Sequence, residues 1–288
     1  MNKEQFKQWC EFHHQPSSLD VKHRKPLIMA VLNITPDSFS DGGKFLKLED
    51  ALEQAHKMIA EGADLIDIGG ESSRPGALPV SYEEELARVI PVIERLCKES
   101  EVCISIDTTK AQVMHAAIHA GASIINDISA LNSEESLAMA AELDVPICLM
   151  HMQGEPRIMQ NFPHYTHDVV DEINSFFQQR LELCIAAGIK RKHLILDPGF
   201  GFGKKPEHNL RIVKHFTKLK QHKLPLMLGV SRKSTLGTIL NSPVEKRLAG
   251  GLAIAVFAAL QGVSLIRTHD VAETNQALAM VQAINEAG

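Results

Sequence analysis

Short, mostly apolar runs alternate with longer segments of mixed polarity along most of the chain. Eight such runs lie at residues 27–32, 64–69, 102–106, 123–125, 145–150, 194–196, 225–229 and 263–266. Apolar runs of this length between turn residues are typical of buried strands. The segments between them predict helices at residues 48–61, 81–98, 110–120, 133–143, 168–187, 206–219 and 244–261, and a last helix that ends near residue 286. The chain is therefore predicted to repeat a strand and a helix about eight times.

This alternation predicts an α/β fold with parallel strands, because each crossover helix returns the chain to the same end of the sheet. Two architectures alternate in this way: a closed (β/α)8 barrel and an open, doubly wound sheet. The number of units suits the barrel, and polar residues end nearly every strand rather than only two of them. We therefore predict a single-domain (β/α)8 TIM barrel over residues 26–288, with a short polar N-terminal extension over residues 1–25.

Composition narrows the classes of function. The formal net charge of -5 gives the chain no basic field, so nucleic-acid binding is not expected. The five cysteines are scattered and form no C-x-x-C pair, which suits a reduced, cytoplasmic protein. Residues 1–25 lack the apolar core of a signal peptide, and no apolar run is long enough to cross a bilayer. We expect a cytoplasmic protein that contacts neither membrane nor nucleic acid.

Residues 194–204 place a carboxylate at the tip of a predicted strand. Asp197 follows three apolar residues and precedes Pro198, and glycines follow at positions 199, 201 and 203. Proline cannot donate to a sheet ladder and glycine permits unusual backbone angles, so the strand ends here and a loop begins. Taken alone, Asp197 is explained as well by a local turn or a helix cap as by a ligand site.

Polar residues occupy the same position at the end of most other strands. They are Asn33, Asp67, Asp107, Asn126, His151, Asp197, Lys233, Arg267 and His269. Single residues have structural alternatives: Asp127 and Asp270 suit caps of the next turn and helix, and Asp67 suits a backbone amide. The whole set of polar strand ends is harder to explain by caps and turns, because burying a charged side chain costs free energy unless an opposite charge or a hydrogen-bond partner compensates it. In a barrel they face one mouth, which predicts a pocket for a planar ligand that donates and accepts hydrogen bonds.

Basic residues after the seventh and eighth strands indicate an anion site. Residues 231–234 read Ser-Arg-Lys-Ser, and residues 267–269 read Arg-Thr-His. The loops at these places commonly bind phosphate in such barrels, and a helix N-terminus there adds backbone donors. The glycines before Lys204 do not have the spacing of a phosphate-binding nucleotide loop, and no G-x-G-x-x-G opens a helix. A nucleotide site is therefore not predicted.

Five segments, taken in order along the chain, resemble the dihydropteroate synthase family. They are residues 32–43, 67–76, 197–204, 231–234 and 267–270. The resemblance runs from about residue 26 to the C-terminus and leaves only the polar extension outside. It implies a transferase of tetrahydrofolate biosynthesis that condenses p-aminobenzoate with (7,8-dihydropterin-6-yl)methyl diphosphate to give 7,8-dihydropteroate and diphosphate. It also implies a homodimer and a target of sulfonamides.

The resemblance assigns most of the polar mouth to the pterin. The residues implied are Asp107, Asn126, Asp197, Lys233 and Arg267, with Met150 and Phe202 as apolar walls. The chemistry agrees: Asp197 can accept from two N–H groups, Lys233 can donate to a carbonyl, and the guanidinium of Arg267 can lie flat against the ring. Ordinary core packing explains Met150 and Phe202 equally well.

The other implied contacts belong to the diphosphate, a metal ion and p-aminobenzoate. The diphosphate is expected at Asn33, Arg267 and His269, and Mg²⁺ at Asn33, with Asp41 as a second candidate. The p-aminobenzoate pocket is expected at Phe39, Ser73, Arg74, Pro75, Lys233 and Ser234. Ser73 stands where the family usually has threonine. Because serine keeps the hydroxyl, we expect little change apart from looser packing against p-aminobenzoate.

The implied chemistry is a dissociative substitution without a covalent protein nucleophile. Catalytic roles fall to Asn33, Asp107, Lys233 and Arg267. Mg²⁺ and Arg267 neutralise the departing diphosphate, and Asp107 stabilises the positive charge left on the pterin methylene carbon. The long loops after the first two strands are expected to close over the site. The unusually apolar helix at residues 244–261 is expected either at a dimer interface or inside the barrel shell.

Two alternative functions stay open at this point. A methyltetrahydrofolate methyltransferase would share the pterin-binding barrel, but it would not need the Ser-Ser-Arg-Pro-Gly loop at residues 72–76. A catalytically silent, pterin-binding partner protein would show losses among the loop residues. Asn33, Asp41, Arg74, Lys233 and His269 are all present, which favours the enzyme.

Overall fold

Eight short parallel strands form the centre of the protein. The structure, a computed structural model, describes residues 1–13, 25–35, 44–72, 76–154, 159 and 163–287, apart from the side chains of residues 44–47. The strands are β1 (Leu27–Asn33), β2 (Leu65–Gly69), β3 (Cys103–Asp107), β4 (Ile124–Asp127), β5 (Ile147–Met150), β6 (Leu194–Asp197), β7 (Met227–Gly229) and β8 (Leu265–Thr268). All of the predicted strands are confirmed, with ends that move by up to two residues.

The strands close into a barrel rather than an open sheet. Their order is β6-β5-β4-β3-β2-β1-β8-β7, and every neighbouring pair is parallel. A bridge between Leu196 and Leu226 joins the two outermost strands, where the amide of Leu196 donates to the carbonyl of Pro225 at 3.0 Å. The predicted (β/α)8 barrel is therefore confirmed, and the carboxyl ends of all eight strands share one rim.

Helices follow the strands around the outside of the barrel, and one further helix precedes β1. Within the described residues they are α1 (Lys3–His13), α2 (Lys44–Ala60), α3 (Tyr82–Glu99), α4 (Ala111–Ala120), α5 (Glu134–Leu143), α6 (Val169–Ala186), α7 (Pro206–Lys214), α8 (Ser234–Leu240), α9 (Leu248–Leu260) and α10 (Val271–Glu286). Ser81, Ser133 and Asp168 begin three of them, each accepting a backbone N–H with its side chain. None of the helices in the described part of the chain is long and apolar enough to cross a membrane.

Two predicted helices were wrong in extent, and one helix was missed. The helix predicted at 206–219 is α7 followed by a 3₁₀ helix, Phe216–His222, and the helix predicted at 244–261 is a 3₁₀ turn, Val244–Lys246, followed by α9. Residues 230–234 were predicted as a loop and no helix was predicted between them and residue 244, yet α8 begins at Ser234. The reason is length: α8 has seven residues, which is too short for the helical period to stand out, and only Thr235 and Leu236 are buried.

The inner face of the barrel changes from apolar to polar along its axis. Side chains alternate between the two faces of a strand. At the amino-terminal end the inward positions are apolar and fully buried: Met29, Leu65, Cys103, Ile124, Cys148, Ile195, Met227 and Leu265. Two positions further along β2, β4, β6 and β8, the inward residues are Asp67, Asn126, Asp197 and Arg267. The sequence pattern of β2, β4, β6 and β8 thus places polar side chains above the apolar residues at the amino-terminal end of the barrel, the apolar floor.

Helix α1 closes the amino-terminal end of this barrel. Its residues Phe6 and Cys10 are buried against the apolar floor, and the carbonyl of Met1 accepts from the amide of Cys103 at 2.8 Å. The sequence analysis predicted only a polar extension here. Phe6, Trp9 and Cys10 have the i, i+3, i+4 spacing of a helix face, so a signal was available, but the polar residues around them led to the helix being missed.

Candidate active site at the carboxyl end of the barrel

Arg267 is the centre of the polar mouth. Its Nε donates to Asp67 Oδ2 at 2.7 Å, and its Nη2 donates to Asp107 Oδ2 at 2.6 Å. Asn126 Nδ2 donates to the same oxygen of Asp67 at 3.0 Å. Side chains from β2, β3, β4 and β8 therefore form one hydrogen-bonded network, and three of the predicted pterin residues lie in it.

Asp67 has a larger part in this network than the sequence analysis gave it. Asp67 is completely buried in the middle of β2, in register with Ser105, and not at the end of the strand. It accepts from two side chains and not from a backbone amide as suggested above. A signal was available: a carboxylate inside an apolar strand needs buried partners, because an unpaired buried charge is strongly unfavourable.

The carboxylates and cations of the mouth shift one another's proton affinities. Burial, together with the negative charges of Asp67 and Glu85, raises the pKa of Asp107 to about 7, although Arg267 acts in the opposite direction. Burial alone would lower the pKa of Arg267, but the carboxylates of Asp67 and Asp107 outweigh it and raise that pKa. Asp107 therefore changes charge near neutral pH, while Arg267 stays a cation.

Asp197 forms a local side-chain turn and also lies in the barrel mouth. Its Oδ1 accepts from the amide of Gly199 at 2.7 Å, which confirms a side-chain turn at the end of β6. The same side chain points into the barrel mouth, and burial raises its pKa in spite of Lys233 and Arg267 nearby. Gly199 has a φ of 67°, and a Cβ there would lie 1.9 Å from the carbonyl oxygen of His151, so the turn requires glycine.

Lys233 lies opposite Asp197 at the start of α8. Burial, and next the charge of Arg267, lowers the pKa of Lys233 to about 8, against the effect of Asp197 and Asp107. Its Nζ lies 3.9 Å from the centroid of the Phe202 ring. Phe202 and Met150 form a small buried cluster with Met159. Both predicted apolar walls thus lie beside the mouth, where they also pack against each other as core residues.

Asn33 lies at the tip of β1, separated from Asp107 by Gly69. A Cβ on Gly69 would lie 3.5 Å from Asp107 Cβ and 3.6 Å from Asn33 Oδ1. The missing side chain leaves space between the amide of Asn33 and the carboxylate of Asp107. This arrangement brings the predicted diphosphate residue Asn33 to the edge of the Arg267 network.

Loops 7 and 8 of the barrel are joined through Ser231 and Asp270. The backbone amide and Nδ1 of His269 contact Ser231 Oγ at 3.3 and 3.1 Å, and this hydroxyl donates to Asp270 at 3.1 Å. Arg232 also donates to Asp270, at 2.6 Å. Asp270 is the N-cap residue of α10, as suggested above, but its carboxylate binds these side chains and no amide of the helix. Burial, followed by Arg267 and Arg232, lowers the pKa of His269 to about 3, so its imidazole is neutral.

An ion-pair cluster that the sequence analysis missed lies under loop 2, which follows β2. Lys110 Nζ donates to Glu71 and to the fully buried Glu85. Glu71 Oε1 also accepts from the amide of Val80 at 3.2 Å, which joins the two ends of the loop. The cluster fixes the base of loop 2 against the segment after β3. Its partners are far apart in sequence, so no local pattern indicated it.

Part of the predicted site lies outside the described residues. This part consists of Phe39, Asp41, Ser73, Arg74 and Pro75. From the p-aminobenzoate group, the structure places only Lys233 and Ser234, which are adjacent at the start of α8. Among the residues that are described, no three His, Cys, Asp or Glu side chains gather as a metal site.

Comparisons with known proteins agree with this geometry. A family model described as pterin binding enzyme matches residues 29–269. The dihydropteroate synthase of Escherichia coli (strain K12) is 50% identical to the chain over 269 residues, which cover 93% of this chain and 94% of that protein. A crystal structure of the Yersinia pestis dihydropteroate synthase with a sulfonamide drug complex has a TM-score of 0.87 and 50% identity, covering 93% of this chain and 97% of that one.

A second solved structure carries the product of the reaction named above. It is the dihydropteroate synthase from Xanthomonas albilineans in complex with 7,8-dihydropteroate, with a TM-score of 0.83 and 42% identity. The match covers 92% of this chain and 95% of that chain. The matches to the Escherichia coli, Yersinia pestis and Xanthomonas albilineans proteins therefore each extend over more than nine tenths of the chain.

Proposed function

The chain belongs to the pterin-binding enzyme family, among the dihydropteroate synthases, and from this premise we propose how its barrel mouth carries out their reaction. It is a transferase that condenses p-aminobenzoate with (7,8-dihydropterin-6-yl)methyl diphosphate, giving 7,8-dihydropteroate and diphosphate for tetrahydrofolate biosynthesis. The observation that carries the residue assignment is the buried network in which Asp67 and Asp107 hold Arg267 at the centre of the mouth.

Pterin recognition falls to the polar residues on the inner rim. The amino group and a ring N–H of the pterin are donors that Asp197 accepts as a pair, and Lys233 donates to the ring carbonyl. Asn126 donates to Asp67, so its amide oxygen is left for a pterin N–H. Arg267 lies against the ring face and Met150 and Phe202 wall the slot. A flat heterocycle with mixed donors and acceptors satisfies this set of buried groups better than a simple anion does.

Bond cleavage precedes bond formation in the proposed mechanism. The C–O bond between the pterin methylene and the diphosphate breaks, and its electron pair leaves with the diphosphate. Asp107, when ionised, stabilises the cationic methylene carbon, and Arg267, Asn33 and His269 hold the leaving diphosphate. The amine of p-aminobenzoate then attacks this carbon and gives up a proton. No protein group needs to form a covalent bond.

Mg²⁺ is the proposed metal ion, and its fit follows from the donors present. Asn33 offers one neutral amide oxygen, whereas Asp67 and Asp107 are already paired with Arg267. Mg²⁺ prefers oxygen ligands and retains much of its water, so one amide together with substrate phosphate oxygens suits it. Bound there, the ion would neutralise charge on the diphosphate. Asn33→Ala is expected to raise the Mg²⁺ concentration needed for tight diphosphate binding in calorimetry, and an unchanged requirement would exclude Asn33 as a ligand.

The p-aminobenzoate pocket is proposed at loops 1 and 2 next to α8. It consists of Phe39, Ser73, Arg74, Pro75, Lys233 and Ser234, with Asp41 near the metal. The ion-pair cluster around Lys110 supports this assignment, because it fixes the base of loop 2. Ser73→Thr is expected to lower the KM for p-aminobenzoate and leave the KM for the pterin substrate unchanged, as measured in steady-state kinetics.

Release of diphosphate is the direct test of the proposed function. The protein is incubated with both substrates and Mg²⁺, and diphosphate is measured by a coupled assay. Asp197→Asn is expected to abolish most turnover, whereas Asp171→Asn, an exposed carboxylate on α6, serves as the matched control. Pterin binding without diphosphate release in the wild-type protein would favour a silent pterin-binding protein. Wild-type turnover in the Asp197 variant would refute the assignment of that residue.

A homodimer through α9 is the proposed assembly. The helix carries exposed apolar side chains, among them Phe257 and Leu260, and Met280 and Ile284 of α10 are exposed as well. Exposed apolar surface of this kind marks interaction sites. Phe257→Asp is expected to give a monomer in size-exclusion chromatography with light scattering. The same change at Ile185, an exposed apolar residue of α6, should leave the mass unchanged.

The barrel over residues 26–288 is the proposed catalytic domain, and the cytoplasm is its proposed compartment. The family match at residues 29–269 supports the boundary, and five unpaired cysteines support a reducing compartment. Deletion of residues 1–25 is expected to lower stability, because it uncovers the apolar floor, while the barrel keeps its mouth. Fractionation of cells that express the chain would test the compartment.

A further inference from the structure

Lys204 is a buried cation with no role in the mechanism above. It is 2% exposed and lies in the loop after β6, which we call loop 6 (residues 198–205). Its Nζ lies 2.9 Å from the carbonyl oxygen of Gly199, 3.0 Å from that of Phe202 and 3.2 Å from that of His151. A fourth neighbour is His151 Nδ1 at 2.9 Å. A single ammonium group therefore connects loop 6 with loop 5 (residues 151–154), which follows β5.

The two loops also contact each other directly through their backbones. The amide of His151 donates to the carbonyl of Asp197 at 2.9 Å. A Cβ on Gly203 would lie 2.2 Å from the carbonyl oxygen of Gln153, just as one on Gly199 would meet the carbonyl of His151. Loops 5 and 6 therefore pack this closely only because residues 199 and 203 are glycines. Lys204 lies buried between the two loops.

The other side of loop 6 is fixed by a different residue. Asn209 on α7 is fully buried, and its Oδ1 accepts from the amide of Gly201 at 2.8 Å. Its Nδ2 donates to Thr235 Oγ1 on α8 at 2.8 Å. Asn209 thus joins loop 6 to the helix that begins next to Lys233. Lys204 connects loop 6 to loop 5 on the opposite side, in addition to the backbone contacts between the two loops.

The contact between loops 5 and 6 depends on the protonation states of Lys204 and His151. When Lys204 is protonated it has three N–H donors and no acceptor, so in that state His151 Nδ1 offers its lone pair. Burial, and then the charge of Lys204, lowers the pKa of His151, which agrees with a neutral ring. Burial also lowers the pKa of Lys204 itself, to about 7, against the effect of Asp197. Burying an ammonium is costly, so stability alone does not explain a lysine here.

Loop 6 carries two of the groups that meet the pterin in the proposed function. Asp197 precedes the loop and is held by the amide of Gly199, whose carbonyl contacts Lys204. Phe202 lies under Lys233, and its carbonyl is bound by Lys204 as well. We propose that Lys204 is a positioning residue for pterin recognition, which locks loop 6 onto loop 5 and so fixes the Asp197 carboxylate and the Phe202 ring. This inference rests on the proposed function of the same site.

The test compares Lys204→Met with Lys205→Met, an exposed neighbour that makes none of these contacts through its side-chain nitrogen. Misplacing binding groups by about 1 Å costs on the order of 100-fold in rate. We expect Lys204→Met to lower kcat/KM for the pterin substrate by a factor on this order. Affinity for inorganic diphosphate, measured by calorimetry with Mg²⁺, should stay at the wild-type value, because Asn33, Arg267 and His269 bind it and none of them lies in loop 5 or loop 6. Lys205→Met should match the wild type in both measurements.

A double-mutant comparison separates positioning from general damage. If Lys204 acts through Asp197, the loss caused by Lys204→Met should be much smaller in an Asp197→Asn background. The inference would be overturned if the losses of kcat/KM caused by the two substitutions multiplied fully in the double mutant. It would also be overturned if Lys204→Met lost pterin and diphosphate affinity equally, or if its kinetics matched those of Lys205→Met. Should Lys204→Met fail to fold, Lys204→Gln keeps two N–H donors without the charge and carries the same comparison. A wild-type protein that releases no diphosphate would instead refute the proposed function.

Discussion

Asp67→Asn is the substitution that tests the Arg267 network most directly. Oδ2 of Asp67 accepts from both Arg267 and Asn126, and Oδ1 has no hydrogen-bond partner in the described part of the chain. Asparagine has the same shape, so it can keep its oxygen toward both donors and place its NH₂ at the position of Oδ1. The substitution therefore removes the charge and keeps most of the geometry.

Two magnitudes follow from the loss of this charge. Removing one partner of a buried ion pair costs about 3 kcal/mol of unfolding free energy. The second effect concerns Asp107, whose pKa Asp67 helps to raise. At an effective dielectric constant of about 20, like charges roughly 6 Å apart, as across one guanidinium group, repel by about 3 kcal/mol. This repulsion corresponds to about two pKa units, by which the pKa of Asp107 should fall.

Urea unfolding and the pH dependence of diphosphate release measure the two effects separately. We expect Asp67→Asn to unfold at lower urea concentration and to move the acid limb of kcat/KM to lower pH. The activity at its optimum should fall on the order of 100-fold, because Arg267 is less firmly placed. Asp144→Asn, which removes an exposed carboxylate paired with Lys190, should change neither property. An acid limb that stays at the wild-type pH would refute the reasoning about the coupled carboxylates.

Three further outcomes are expected. Because the folded chain holds the Asp107 proton more tightly than the unfolded chain, the contribution of Asp107 to stability is full below pH 3.8 and lost as the pH rises through about 7. The acid limb of kcat/KM near pH 7 should be absent in Asp107→Asn, whose residual activity is measured across the same pH range. Gly199→Ala should cost several times the roughly 1 kcal/mol expected for Gly188→Ala in urea unfolding, since a Cβ at 188 meets no atom within 4 Å. Lys110→Met should raise the KM for p-aminobenzoate more than that for the pterin substrate, and equal changes would contradict a role at loop 2.

Features that depend on neighbouring residues were predictable from the sequence. The alternation of strand and helix gave the barrel, because each strand is a short apolar run bounded by turn residues. The caps Ser81 and Ser133 were visible as single residues before helical segments. The polar ends of the strands indicated a shared mouth, because parallel strands in a closed barrel end on the same rim. The resemblance to a known family then gave these residues their roles.

Features that depend on contacts between distant segments were not predictable in the same way. Asp67 binds Arg267, which lies 200 residues further along the chain, and Lys204 contacts His151, 53 residues before it. No spacing rule relates such pairs, because their distance is set by how the strands are ordered around the barrel. Asp270 combines both cases: a local rule placed it correctly at the N-cap of α10, but its carboxylate binds Ser231 and Arg232 from the neighbouring loop instead of the helix.

Arg267 shows why these distant contacts matter for catalysis. A guanidinium carries five N–H groups in one plane, and the bonds to Asp67 and Asp107 use two of them. The remaining N–H groups can meet a diphosphate while both carboxylates keep the plane fixed, so the donor needs little reorganisation when negative charge develops on the leaving group. A lysine has a single charged atom and could not hold two carboxylates and a ligand in a fixed plane. Arg267→Lys should therefore lose activity through kcat more than through pterin affinity, and an equal loss in both would argue against preorganisation by the carboxylates.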